Sequence, residues 1–105
     1  MFFYIIGMKV VYSIKINNPV VFTECIKPIA IENKYELFSD DMNDFKFCPW
    51  LIAYYDEGKM QMNNINEGFY NRIKGDSNYK VNEYIHVRDF IENIDNGNKP
   101  NYELF

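Results

Sequence analysis

The sequence predicts an α+β domain, in which an antiparallel β-sheet has a C-terminal α-helix packed on one face. Two patterns lead to this prediction. Residues 10–16 are rich in β-branched side chains and residues 50–55 in aromatic and apolar ones, which favour the pleated, half-buried surface of a sheet. Residues 87–94 instead repeat apolar side chains with a helical period. Strands followed by a late helix are typical of the α+β class, and 105 residues fit one domain over residues 1–105.

The first strand is expected over residues 10–16, where apolar side chains recur at every second position. Asn17-Asn18-Pro19 follows with the residue types of a turn. Residues 20–23 are interpreted as the returning arm of a hairpin, with the proline outside the hydrogen-bonded ladder. Residues 35–46 are interpreted as an acidic loop that holds at most one helical turn.

A β-hairpin is expected over residues 50–62. Residues 50–55 form a strand rich in aromatic and apolar side chains, and residues 60–62 alternate on the returning arm. Gly58 is placed to adopt the positive φ that a tight hairpin turn requires. Because alternate residues of a strand face opposite sides of the sheet, one of Tyr54 and Tyr55 should be exposed.

The C-terminal helix has the sharpest pattern in the chain. Apolar side chains recur at i, i+3, i+4 and i+7, which places them on one helical face. Gly97 is expected as the C-cap, and Pro100 blocks continuation of the helix. The apolar face consists of Val87, Phe90, Ile91 and Ile94.

The charge balance restricts the class of partner. The net charge is −4, from eleven basic and fifteen acidic residues that are scattered along the chain. Nucleic-acid binding needs clustered Lys and Arg, so a basic protein surface is the expected partner instead. No stretch reaches the ~20 apolar residues that span a bilayer, and no signal-peptide pattern opens the chain. We therefore expect no membrane partner and a cytosolic location, whether translation starts at Met1 or at Met8.

No pattern of catalytic, cofactor-binding or metal-ligating residues is present, so the sequence predicts a binding protein rather than an enzyme. Cys25 and Cys48 lack a metal-ligand spacing. We expect them as small buried residues in a reducing cytosol, and a disulfide between them is left open. His86 is the single histidine. A small enzyme that uses His86 with either cysteine is retained as an alternative.

Partner contacts are expected from acidic turns and from exposed aromatic side chains. Carboxylates in polar turns stay solvated and complement a basic surface, and an exposed tyrosine is a common interface anchor. The predicted partner-binding residues are Asp40, Asp41, Asp44, Tyr54, Tyr55, Asp56 and Glu57.

The end of the chain resembles a known pattern. Residues 85–100 combine a strand-like lead-in, a helix with Phe90 near its middle, and a Gly-x-x-Pro exit formed by Gly97 and Pro100. The final residue, Phe105, is aromatic. Together with the hairpin, this order resembles the C-terminal signature of bacterial immunity proteins that accompany polymorphic and contact-dependent toxins.

The resemblance covers residues 48–105 and departs from the family pattern in two places there. His86 stands where proline is frequent, and Leu104-Phe105 stands where a tryptophan is usual. Residues 1–47 lack a recognisable helix after the first strand, which the family often has.

The resemblance implies a protein that binds one cognate toxin and neutralises it. Such toxins are commonly nucleases or nucleic-acid deaminases, whose basic clefts acidic residues would occupy. A phage-encoded acidic inhibitor of a host defence nuclease is the alternative that composition does not separate from an immunity protein. The sequence leaves open whether the protein is a monomer or a dimer.

Overall fold

The computed structural model describes residues 9–37 and 45–98. The strands are β1 (Lys9–Lys15), β2 (Glu36–Leu37), β3 (Trp50–Asp56), β4 (Lys59–Ile65) and β5 (Tyr79–Tyr84). The helical segments are α1 (Pro19–Val21), a π-helical segment (Phe22–Ile26), α2 (Lys27–Glu32), α3 (Glu67–Lys74) and α4 (Val87–Asn98). The five strands form one sheet in the order β2-β4-β3-β1-β5, with helices packed on it. The predicted α+β class is therefore confirmed, and no helix in the described ranges is long and apolar enough to cross a membrane.

The sheet is mixed, which corrects the prediction of a purely antiparallel sheet. β1 pairs antiparallel with β3, and β3 pairs antiparallel with β4. β1 runs parallel to β5, and β4 runs parallel to the short β2. Parallel strands need a crossover connection, usually a helix, where antiparallel strands need only a turn. Helix α3 joins β4 to β5 and provides such a crossover; neither α3 nor β5 is among the elements predicted from the sequence.

The chain enters a helical stretch directly after β1, so the hairpin arm predicted over residues 20–23 is wrong. Asn18 caps this stretch, because its side-chain oxygen accepts the N–H of Val20 at 3.1 Å. Pro19 occupies the first helical turn, where its missing N–H costs nothing and its fixed φ suits a helix. Asn-Pro is therefore a helix start here rather than a turn between strands.

A π-helical segment lets this stretch continue past Pro28. A proline inside a helix lacks a donor, and its ring crowds the carbonyl four residues earlier. Directly before Pro28 the hydrogen bonding widens, and the N–H of Lys27 donates to the carbonyl of Phe22. The helix continues through α2 as a result, and Phe22, Ile26 and Ala30 are buried along its length.

The first helical stretch and α4 pack on the same side of the sheet, which we call the two-helix face. Burial of each large apolar side chain there stabilises the folded state by about 1.5–3 kcal/mol. The apolar stripe predicted for α4 is confirmed, although Gly97 lies inside α4 and is not its C-cap; Pro100 lies outside the described residues. The core of this face includes Ile14, Leu51, Met60 and Met62 from the strands and Phe22, Ile26, Phe90 and Ile94 from the helices.

The opposite side, which we call the one-helix face, is covered by α3 alone within the described ranges. Asn66 caps α3 because its side chain accepts the N–H of Phe69 at 2.8 Å. The side chains of Tyr70 and Ile73, both in α3, are buried against the sheet. A helix with its side chains is roughly 10–12 Å wide. Five strands spaced roughly 4.8 Å apart span about 19 Å, so a single helix leaves part of this face uncovered.

Candidate functional site

The turn between β3 and β4 holds four of the predicted partner-binding residues. Asp56 pairs with Lys59 at the end of the ladder, so Glu57 and Gly58 form a two-residue turn. Both have positive φ, 50° for Glu57 and 79° for Gly58, as a type I′ hairpin turn requires. The positive φ predicted for Gly58 is confirmed, and the turn presents the Glu57 side chain to solvent.

The two tyrosines beside this turn point to opposite faces of the sheet. Tyr55 lies on the two-helix face and is 46% exposed, which confirms that one of the pair is on the outside. Tyr54 lies on the one-helix face, where it is partly buried. The hairpin therefore presents Tyr55 and Glu57 to solvent, whereas Asp56 lies with Tyr54 on the one-helix face. Asp40, Asp41 and Asp44 lie outside the described residues.

A groove of about 360 Å³ lies beside α3 on the uncovered part of the one-helix face. Its apolar lining comes from the centre of the sheet and from α3: Val11, Ile52, Ile65 and Ile73, all of them buried. This groove joins the consecutive elements β3, β4 and α3 with β1, which lies about 40 residues earlier in the chain, and with Tyr79 of β5.

Aromatic and polar side chains surround the apolar floor of this groove. Tyr54, Tyr79 and Phe69 line it, together with Lys9 and Asn63. The Lys9 ammonium lies 5.0 Å from the centre of the Tyr54 ring, within the range of a cation–π contact. Burial raises the pKa of the Tyr54 hydroxyl, and the neighbouring Asp56 and Tyr79 raise it further. Tyr54 is therefore a neutral hydrogen-bonding group at physiological pH.

Buried contacts hold α3, one wall of the groove, against the sheet. The Tyr70 ring stacks on Trp50 with centroids 3.8 Å apart and planes 10° from parallel. The Tyr70 hydroxyl reaches both Ser13 and Glu83 at 2.7 Å, and Ser13 is fully buried. Two charged contacts complete the attachment: Trp50 Nε1 donates to Glu67, and the Lys74 ammonium lies 3.4 Å from Glu83.

The direction of these hydrogen bonds follows from the number of protons available. The Glu83 carboxylate only accepts, so the Tyr70 hydroxyl donates to it. The Tyr70 oxygen then accepts the proton of Ser13, whose other acceptor, the Asn82 carbonyl, is more distant at 3.3 Å. The bond from Tyr70, aided by Lys74, lowers the pKa of Glu83. Burial is the main cause that raises the pKa of Tyr70, so its hydroxyl keeps the proton that it donates.

Comparison with known proteins finds no match. No protein-family model, curated protein or solved structure is similar to the chain at the level required for a match.

The alternative chemistry considered for the cysteines and the histidine has no geometric support among the described residues. Cys25 and Cys48 are both free, so they do not form a disulfide. Cys25 is exposed on the first helical stretch and Cys48 is half-buried, which contradicts the expectation of two buried cysteines. His86 is exposed before α4, and no hydrogen bond between described residues joins it to either cysteine. No group of three or more metal-ligating residues occurs in the described ranges.

The groove is the feature that the sequence interpretation missed. Of its lining residues only Tyr54 is among the predicted site residues, because the others come from segments interpreted separately. A local signal for one wall does exist: Asn66 as an N-cap, followed by Phe69, Tyr70 and Ile73 at helical spacing. The position of that helix relative to the sheet has no comparable signal.

Proposed function

We propose that this chain is an immunity-type binding protein, which neutralises a protein toxin by covering a basic cleft. One observation supports the proposal most directly: the β3–β4 hairpin presents the half-exposed Tyr55 close to the exposed Glu57 of the turn. An aromatic anchor near a carboxylate is suited to a positively charged cleft, where substrate phosphates would otherwise bind.

The geometry of the turn favours binding because it is already ordered. A two-residue turn closed by a regular ladder has little conformational freedom to lose, so association costs less than for a flexible loop. The carboxylates would speed encounter with a basic surface, and burial of the tyrosine ring, roughly 150–250 Å², would slow dissociation. The proposed inhibition is steric and requires no catalysis by this chain.

Two further features agree with an immunity-type protein. The net charge of −4 suits a basic partner. The helical stretch over residues 19–32 supplies a helix after the first strand, which the family resemblance leads one to expect and which the sequence interpretation did not find. The hairpin and the C-terminal helix stand in the order of the resembling pattern.

The experiment combines the purified chain with the product of the neighbouring gene and measures complex formation and protection of cells from that product. We expect a stable complex and restored growth. Tyr55→Ala should weaken binding by at least about 30-fold, the effect of an interface hot spot of ~2 kcal/mol. Phe47→Ala is the matched control, because Phe47 is also an exposed ring but lies outside the turn.

The contribution of charge has its own pair of variants. Glu57→Lys should slow association and reduce its dependence on salt. Glu24→Lys makes the same charge change at an exposed site on the first helical stretch and should have a much smaller effect. A chain that forms no complex and gives no protection would contradict the proposal, and so would equal losses from the site and control variants.

A further inference from the structure

The groove beside α3 has the composition of a small-molecule site. Pockets that bind small ligands are mostly apolar, with a few placed polar groups, and have volumes of roughly 300–1,000 Å³. The groove, at about 360 Å³, lies at the lower end of that range. Its floor is formed by buried aliphatic side chains of the sheet centre, among them Val11 and Ile52.

The wall of the groove on α3 is held in place before any ligand arrives. Phe69 and Ile73 line the groove from α3. Between them in sequence, Tyr70 is anchored to the sheet by its stacking on Trp50 and its two 2.7 Å hydrogen bonds. A preformed wall reduces the ordering cost that binding would otherwise incur.

The charge of the groove indicates the sign of its ligand. Among the described residues that line it, Lys9 alone is charged. None of the salt bridges between described residues involves Lys9, and its ammonium lies over the face of the Tyr54 ring. Asp56 acts on the Tyr54 hydroxyl through its charge but makes no salt bridge with Lys9. An anionic group could therefore pair with Lys9 without displacing an existing partner.

Three neutral polar groups accompany Lys9. The hydroxyls of Tyr54 and Tyr79 and the amide of Asn63 make no side-chain hydrogen bond with any described residue, so they are available to a ligand. We propose that the groove binds a small amphipathic carboxylate. Its apolar body lies on the aliphatic floor between the aromatic walls, and its carboxylate pairs with Lys9. This site is distinct from the exposed hairpin surface, since Tyr55 faces the other side of the sheet.

The first measurement compares two probes of equal length, decanoate and uncharged decanol, by calorimetry and by amide NMR shifts. We expect decanoate to bind saturably with one molecule per chain. Decanol should bind about tenfold more weakly, since it lacks the charge-assisted contact with Lys9. Amide shifts should concentrate on β1, β3 and α3. This comparison uses the unaltered protein, so it does not depend on how any variant folds.

Variants then separate the charged contact from the apolar one. Lys9→Met should reduce decanoate affinity about tenfold and leave decanol binding unchanged. Lys80→Met is the matched control, because Lys80 is exposed on β5 and does not line the groove. Phe69→Ala removes a side chain that is 48% exposed, so it should weaken both probes with little effect on folding.

Several outcomes would overturn the proposal. These are the absence of saturable decanoate binding, equal affinity for the two probes, or unchanged decanoate affinity in Lys9→Met. Shifts centred on the exposed side chains of Phe47 or Ile85 would show nonspecific adsorption and would also refute it. Tyr55→Ala should keep decanoate binding, so failure of the hairpin proposal and failure of the groove proposal are distinguishable.

Discussion

Replacement of Tyr70 by phenylalanine tests whether the buried hydroxyl fastens α3 to the sheet. The ring is 1% exposed and stacks on Trp50, so Tyr70→Phe keeps the packing and removes only the hydroxyl. The bond to Glu83 is charge-assisted and worth about 1.5–3 kcal/mol; the low end applies because the Glu83 side chain is 43% exposed. Ser13 would retain only its 3.3 Å bond to Asn82. We expect a loss of about 2 kcal/mol in the free energy of unfolding.

Equilibrium unfolding in urea, followed by circular dichroism, measures this loss, and a double-mutant cycle with Ser13→Ala locates it. Ser13→Ala alone should cost about 1 kcal/mol, since Tyr70 still has Glu83 as a partner. The double variant should be destabilised by about 1 kcal/mol less than the sum of the single losses, because it leaves no buried hydroxyl unpaired. A loss below about 0.5 kcal/mol for Tyr70→Phe, or strict additivity in the cycle, would refute the assigned network.

Three other predictions follow from local contacts. The pKa of Glu83 is lowered in the folded state, so its ionised carboxylate stabilises the fold. This contribution to the free energy of unfolding is fully present above the ordinary glutamate pKa of about 4.3 and is lost as pH falls through the lowered folded pKa. The stability difference between the wild type and Glu83→Gln, measured in urea at a series of pH values, should therefore shrink below about pH 4.3, and a constant difference would contradict the assignment. Asn66→Ala should lower the free energy of unfolding by about 1 kcal/mol through loss of the α3 cap, while Asn66→Asp should keep most of that stability because Asp is also a good cap. Equal destabilisation by the two variants in thermal unfolding would argue against capping. Gly58→Ala should lower the free energy of unfolding by about 1 kcal/mol because φ is 79°, whereas Gly58→Asn should lower it less. The midpoints of urea unfolding of the two variants measure this difference.

Much of the local structure could be predicted because the relevant signals are short-range. The hairpin over β3 and β4 follows from two strand-like segments and a glycine at the one position that needs it. The buried face of α4 follows from apolar spacing alone, and Phe90 and Ile94 are buried as that spacing predicts. Exposure of one of Tyr54 and Tyr55 follows from strand alternation.

Other features were missed for identifiable reasons. Asn18-Pro19 suits both a turn and a helix start, and the tertiary core decided between them by burying Phe22 and Ile26. Helix α3 is short and polar overall, and its two buried side chains gain their stability only from contact with the sheet. Ser13 lies on a central strand as a buried polar residue, which makes sense only when Tyr70 reaches it from 57 residues away.

Sequence patterns alone predict the α+β class, the hairpin with its turn and the apolar face of the last helix. Each of these features depends on residues that are close together in the sequence, so periodicity and turn chemistry are sufficient to predict it. Three features are evident only from the folded arrangement: β5 lies parallel to β1, α3 covers one part of the sheet, and Lys9, Tyr54 and Phe69 share a groove. Strand order and helix placement follow from the combined burial of distant segments, and no local pattern in the sequence records that burial.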